Sequence, residues 1–388
     1  MNSRNYIGGN KIKLVHGGEE YFDALLEVIE RARHFLHLQV YIFDVDETGL
    51  VILDALKEAA QRGVKVQVVA DGFGSMSLGS KFPEEMARHN ILFRFFSPLP
   101  FPGIFQAGRR LHHKVVVADG KRALVGGINI SDRYRGTDQQ LPWLDYALLA
   151  EGPVVLPITA ICEKIFQKRF SRRGLRKLKK LKNTSAEPIP MQVRVSVNDW
   201  IRRRNEISSA YKHMLSGAHK EIIIVASYFV PTRRLLKILV RAARRGRKVS
   251  IILSRTSDVI LMKPAMTYLY SKLLQAGINI FEYRESVLHA KLCVVDKRWV
   301  SIGSHNLNHL SEFISIEMNL EVLDHAFASQ TTRELYSLME ERCIPITSAD
   351  VTRGSNLFQK AGQWISYKLI SWSMRILYFL NQKPVKDR

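Results

Sequence analysis

The chain has 388 residues, 46% of them apolar, enough to bury the core of two domains and too apolar for a disordered or collagen-like polymer. Lys and Arg outnumber Asp and Glu by 58 to 36, and a formal net charge of +22 favours a polyanionic partner, either nucleic acid or the anionic face of a membrane. Cys162, Cys293 and Cys343 form no Cys-x-x-Cys pair, so they indicate neither a disulfide framework nor a zinc knuckle and fit a reducing compartment.

The N-terminal MNSRNYIGGNKIKL has no apolar h-region and no small-residue cleavage site, so no signal peptide is expected. No run of about 18 uncharged apolar residues occurs, so no spanning helix is expected. Phe35–Phe43 reads as a buried strand, Leu50–Arg62 as a helix stopped by Gly63, and Val64–Ala70 as a strand closed by the turn Asp71–Ser75. That succession predicts parallel pairing. Strands follow at Val115–Val117 and Arg122–Val125. The basic run Lys168–Lys182, with a polar, Pro-containing stretch to Pro190, reads as a linker or a solvated helix face. Leu175, Leu178 and Leu181 recur every three residues, so a basic membrane-surface helix also fits.

The second half repeats the first: strand Glu221–Val230, helix Arg233–Arg245 ended by Gly246, strand Lys248–Leu253, then strands Leu292–Val295 and Trp299–Ile302. Tyr41-Ile42-Phe43 echoes Tyr228-Phe229-Val230, and Arg62-Gly63 echoes Arg245-Gly246, so whole half-domains are duplicated. The tail Leu357–Leu380 is amphipathic: Leu357, Ala361, Trp364, Ile365, Leu369, Trp372, Ile376, Phe379 and Leu380 share one helical face. Lys368 and Arg375 would each cost about 2.5–3.5 kcal/mol at mid-bilayer, so the helix is expected to lie in a membrane interface rather than span it.

His-x-Lys-x4-Asp occurs twice, as His112, Lys114, Asp119 and as His289, Lys291, Asp296. Each copy runs on to a Gly-x-x-Asn, ending at Asn129 and Asn306, and every equivalent pair is offset by the same 177 positions (289 − 112). Two copies in one register point to a duplicated half-site. On a strand, positions i and i+2 face one side, so each His is expected beside its Lys. Two histidines, two lysines and two asparagines around a pseudo-two-fold axis make a cationic, donor-rich site for an anion. One imidazole can attack phosphorus, while the other protonates the leaving alkoxide and then deprotonates the acceptor. Lys114, Lys291, Asn129 and Asn306 are expected to hold the phosphoryl oxygens. A reactive imidazole needs its second nitrogen held, and Asp145 and Glu317, 16 and 11 residues after the Asn of their halves, are the candidates. Asp119 and Asp296 belong to the motif but are expected to brace turns. No third His or Cys stands at ligand spacing and paired lysines repel a cation, so a metal is not expected.

These motifs resemble the phospholipase D superfamily, from about Asn10 to Cys343. Within it the chain is most similar to bacterial cardiolipin synthases, through Tyr41–Phe43 with Asp71–Ser75, Arg110–His112, Ala226–Pro231 and Gly303–Asn308. Arg202–Ile207 resembles a compact subgroup without N-terminal spans. The resemblance implies an α/β fold of two pseudo-symmetric domains, each a mixed, mainly parallel sheet flanked by helices. The halves are expected at 1–183 and 184–345, with the interfacial helix in 346–388. It further implies metal- and cofactor-free phosphatidyl transfer through a phosphohistidine on His112, with phosphatidylglycerol and related lipids as substrates. The expected partner is an anionic phospholipid membrane, at the cytoplasmic face of a bacterial cell, and not nucleic acid, for which a stacking aromatic cluster is missing. Gly127 stands where the family often has Ser, which removes a hydroxyl from one half. A lipid hydrolase and a superfamily nuclease remain the alternatives.

Overall fold

The computed structural model describes residues 6–98, 109–167, 191–199, 202, 204–308, 311, 315–353 and 356–380. The basic segment 168–190 and Arg203 lie outside them. The first half holds β1 (Lys11–His16), β2 (Phe35–Val40), β3 (Lys65–Asp71), β4 (Leu92–Phe96), β5 (Arg110–Leu111), β6 (Val115–Ala118), β7 (Arg122–Gly126) and β8 (Tyr146–Glu151). The second holds β9 (Gln192–Asp199), β10 (Arg204–Asn205), β11 (Glu221–Ala226), β12 (Lys248–Ser254), β13 (Asn279–Tyr283), β14 (Lys291–Val295), β15 (Trp299–Gly303), β16 (Ser315–Leu323) and β17 (Cys343–Ile346).

The two sheets share one order. The first runs β1-β8-β7-β6-β2-β3-β4, and the second runs β9-β16-β15-β14-β11-β12-β13, with β10 and β17 added at its edges. Both are mixed, but the expected predominance of parallel pairing does not hold. In the first sheet only β2–β3 and β3–β4 are parallel, and their counterparts β11–β12 and β12–β13 repeat this. Helical crossovers join those strands, whereas β6 to β7 and β14 to β15 turn directly and must run antiparallel.

Alternate residues of the central strands face different cores. Val115 and Val117 of β6 face the layer between the sheets, while Val116 and Ala118 face the outer helices of the first half. On β11, Ile223 and Val225 point inward, and Ile222 and Ile224 pack under the outer helices of the second half. Burial on both faces is why these strands read as unbroken apolar runs. The outer helices stop where the repeat places glycine. Thr232 caps the helix Arg233–Arg244, which buries Leu235, Leu236, Leu239 and Ala242. Gly246 at φ 79° and Gly63 at φ 85° turn the chain out of the two equivalent helices in the left-handed region open to glycine.

The hairpin turns of β6–β7 and β14–β15 place Asp119 and Asp296 at φ 53°. Asp119 accepts the backbone N–H groups of Arg33, His34 and Phe35, each at 2.8 Å. Asp296 does the same for His219, Lys220 and Glu221. Each aspartate thus pins the segment that enters β2 or β11, at the far end of the strands from the histidines. Burial opposes ionisation, but the N–H groups hold both carboxyls below the usual range.

Asp119→Ala should cost about 1–3 kcal/mol, since three charge-assisted bonds are lost at a partly solvated site. A depressed folded-state pKa contributes stability that is present above the unfolded value, about 4, and is lost as pH falls through the folded value. Thermal melts should therefore separate wild type from variant at pH 7 and converge toward pH 3. A gap independent of pH would reject the carboxylate brace.

Candidate active site

The segments carrying the two histidines cross between the halves. Arg110–Leu111 (β5) adds parallel to Ser315–Ile316 at the start of β16, and His112 N–H donates to Ile316 O at 3.0 Å. In the mirrored crossing Leu144 bridges Leu288, and His289 N–H donates to Leu144 O at 2.8 Å. The ends of β3 and β12 hold these crossings: Asp71 accepts Leu111 N–H at 2.8 Å, and Ser254 Oγ accepts Leu288 N–H at 2.9 Å. The histidines therefore stand just before β6 and β14 rather than inside a strand, as the motif spacing suggested.

Crossing exchanges the carboxylates. His112 Nδ1 lies 2.9 Å from Glu317 Oε2, and His289 Nδ1 lies 2.7 Å from Asp145 Oδ2. Each histidine is thus held by the other half. Lys114 Nζ donates to His112 O at 3.0 Å and sits 5.1 Å from the Tyr41 ring centre. Lys291 Nζ donates to His289 O, lies 2.8 Å from His289 Nδ1 and 3.7 Å from Asp145 Oδ2. Asn129 is committed on both sides, accepting Ile42 N–H at 3.0 Å and donating to Tyr134 Oη at 2.7 Å. Asn306 accepts from Ser227 Oγ at 2.7 Å. Asp119 and Asp296 are not part of this cluster.

The two half-sites differ in electrostatics. Burial raises the Glu317 carboxyl, but His112 and the Ser304 hydroxyl, which donates to Oε2, bring it below the usual range. Gly127 occupies the position of Ser304 in the first half. A Cβ there would lie 2.5 Å from both Asp145 oxygens, so the space the serine would need belongs to the carboxylate. With no such hydroxyl, burial pushes Asp145 up to about 6 despite Lys291. Burial lowers both histidines, against Glu317 for His112 and reinforced by Lys291 and Lys114 for His289. It also pulls Lys114 down to about 7 and lowers Lys291. The side chain of His112 is 14% exposed and that of His289 is 7%. Three rings crowd His289, with centroids at 5.2 Å (Tyr134), 5.9 Å (Trp143) and 6.4 Å (Tyr228), whereas His112 has Tyr41 at 5.0 Å.

Reading motifs alone missed this aromatic shell, together with Asp71 and Ser304. The Tyr41 and Tyr228 echo and the Gly127–Ser304 contrast were the usable signals, because the other contacts join residues far apart in the chain. The arrangement offers two imidazoles, each held at Nδ1 by a carboxylate and flanked by lysine amino groups: equipment for in-line displacement at a phosphodiester.

Residues 25–147 and 211–339 match the family model described as "Cardiolipin synthase, PLD-like domain". The chain is 35% identical over 329 residues to Cardiolipin synthase B of Escherichia coli, covering 84% of this chain and 79% of that protein. It is 29% identical over 342 residues to Cardiolipin synthase 1 of Bacillus cereus, covering 85% of this chain and 65% of that one. The solved structure of a phosphatidylserine synthase from Haemophilus influenzae superposes with a TM-score of 0.74 over 96% of both chains at 16% identity, which shows a common fold.

Glu317→Gln should disturb the histidine of the opposite half. Its amide keeps the shape but loses the charge that fixes the tautomer, so turnover should drop about 10²–10⁴-fold. In ¹⁵N spectra the ring signals of His112 should move and those of His289 should not. Asp145→Asn should do the reverse, and changes confined to the same half would refute the exchanged pairing.

Proposed function

The chain belongs to the cardiolipin synthase family of phospholipase-D-like proteins, and we propose from that premise how its residues carry out phosphatidyl transfer. The protein is a phosphatidyltransferase that makes cardiolipin. The observation that carries the mechanism is the exchanged His–carboxylate pairing, which occupies Nδ1 of both imidazoles and leaves Nε2 for chemistry, that of His289 standing 3.2 Å from Lys291 Nζ.

His112 is the nucleophile. Its Nδ1–H donates to the ionised Glu317, which leaves a lone pair on Nε2. Greater exposure and the better stabilised carboxylate favour it over His289. Nε2 attacks the phosphorus of phosphatidylglycerol, the P–O bond to glycerol breaks, and His289 delivers a proton to the departing alkoxide. An arriving phosphate anion raises the proton affinity of His289, offsetting the neighbouring lysines. Lys114 and Lys291 neutralise the phosphoryl oxygens as charge shifts. His289, now neutral, takes the proton from the free hydroxyl of a second phosphatidylglycerol. That oxygen attacks the phosphohistidine, the P–N bond breaks, and cardiolipin leaves with His112 restored. One phosphodiester replaces another, so no nucleotide is consumed. Asn306 assists at the phosphoryl oxygens more readily than Asn129, whose amide is already engaged by Tyr134.

The setting is a membrane surface. No helix among the described residues is long and apolar enough to cross a bilayer. The tail helix Leu357–Leu380 turns the narrow stripe Ser366, Tyr367 and Ile370 to the protein, with Tyr367 4.9 Å from Tyr268, and exposes Trp364, Ile365, Leu369 and Trp372. An apolar aromatic face left open beside Lys368 fits peripheral attachment at the cytoplasmic leaflet. Arg375, Ile376, Phe379 and Leu380, expected on the helix, have side chains outside those described.

Phosphatidylglycerol vesicles incubated with the protein should yield cardiolipin and glycerol by mass spectrometry. Phosphatidic acid alone would make it a hydrolase, and no turnover would sink the lipid reading. His112→Ala and His289→Ala should each reduce turnover about 10³-fold or more. Only the His289 variant should trap an acid-labile phosphatidyl adduct on the protein.

The pH profile of kcat/KM should be bell-shaped. It falls below about 6 as Asp145 takes up a proton and releases His289, and above about 7 as Lys114 loses its charge. Lys114→Arg, which stays cationic, should extend the alkaline side, and an unchanged alkaline limb would remove Lys114 from this role.

A further inference from the structure

The turn that closes β12 carries three consecutive apolar side chains into solvent. Val259, Ile260 and Leu261 are all exposed, and Ile260 is 90% so. Folded chains leave single apolar residues outside freely, but a contiguous apolar tip needs a reason. This tip is built rather than loose. Ser257 Oγ accepts Val259 N–H at 3.2 Å and donates to Val259 O at 3.1 Å. Met262 N–H donates to Val259 O at 2.9 Å, and Met262 itself is buried at the start of the helix Met262–Gln275.

Its position is tied to the histidines. Asp258, next to the tip, accepts the Tyr228 hydroxyl at 2.6 and 2.8 Å, and the Tyr228 ring lies 6.4 Å from that of His289. The equivalent turn of the first half follows β3, whose Asp71 holds Leu111 beside His112, and it exposes Phe73 and Met76. Each half thus exposes apolar residues on a turn that is tied by hydrogen bonds to the surroundings of one site histidine.

We propose that the Val259-Ile260-Leu261 tip, aided by Phe73 and Met76, inserts into an anionic phospholipid bilayer and seats the mouth of the catalytic site against it. This rests on the lipid reading above and adds where the enzyme touches its substrate phase. Three observations favour a bilayer as the occupant. The helix that begins at the tip is the one on which the tail helix, with its exposed Trp364 and Trp372, packs through Tyr268 and Tyr367. In the same outer layer, the helix Arg233–Arg244 exposes Arg233, Arg234, Lys237, Arg241 and Arg244 and carries no acidic residue. A diacyl donor must also bring its phosphodiester to His112 while its chains stay in hydrocarbon, so the mouth has to meet the acyl boundary. Side chains of a shallow wedge reach about 5–10 Å below the headgroups, the depth of an interfacial segment.

The test uses the three native cysteines, all buried, which make an introduced thiol selectively labelled. Ile260→Cys carrying an environment-sensitive dye should shift to the blue on adding phosphatidylglycerol vesicles and be quenched by lipids brominated on the acyl chain. Ile260→Asp should lose about tenfold or more of the turnover on vesicles, a charge having replaced an inserted aliphatic group. The same variant should keep wild-type turnover on short-chain phosphatidylglycerol below its critical micelle concentration. No blue shift, or undiminished vesicle turnover in the aspartate variant, overturns the proposal. So does concentration-dependent self-association that Ile260→Asp abolishes while vesicle binding persists, since a second copy would then cover the tip. If wild type turns over neither vesicles nor monomeric lipid, the catalytic reading fails, while the dye still reports docking by itself.

Discussion

Neither half of this protein can orient its own histidine. Glu317 of the second half holds His112, and Asp145 of the first holds His289. Almost everything else in the fold serves that exchange. The segments before the histidines leave their own sheets to pair with the other half, β5 on Ser315–Ile316 and Leu288 on Leu144. Such crossings need two sheets in fixed register, which the apolar layer between them supplies through Val115, Val117, Ile223 and Val225. Splitting the halves would break both His–carboxylate bonds at once, leaving Glu317 with the Ser304 hydroxyl and Asp145 with the Tyr146 N–H of their own halves.

Duplication produces symmetry, and chemistry needs its opposite. A displacement with a covalent intermediate requires a nucleophile on one side and a proton carrier on the other. Backbone and motif are repeated faithfully, so the difference comes from the surroundings. Ser304 gives Glu317 a hydroxyl that Gly127 cannot give Asp145, because the Asp145 carboxylate fills the space a side chain there would occupy. Tyr134, Trp143 and Tyr228 close around His289 and leave His112 more open. One missing hydroxymethyl group and three rings make the surroundings of two identical imidazoles unequal.

The outer surface extends the same division of labour. The second half carries the helix Arg233–Arg244, with five exposed cations, and the tail helix with its uncovered aromatics, whereas the equivalent helix Glu47–Gln61 of the first half begins with an acid. Charge and apolar surface on one outer layer give long-range attraction and short-range adhesion to the same kind of target.

Local information was legible in the sequence. Strand and helix periodicity, the glycine stops at Gly63 and Gly246, and a repeat offset of 177 positions (289 − 112) depend on neighbours a few residues apart or on a register that comparison of the chain with itself reveals. Those features were enough to predict two duplicated α/β halves and phosphodiester chemistry. The predominance of parallel strands was misjudged because the β-helix-β succession is the louder signal, while β1, β8, β9 and β16 carry no comparable motif. Who holds whom was decided only by tertiary structure. Glu317 stands 205 residues from His112, and Asp145 stands 144 from His289, so no spacing rule links them. The reason is physical: a hydrogen bond is set by where the chain crosses in space, and that crossing exists only once both sheets have packed.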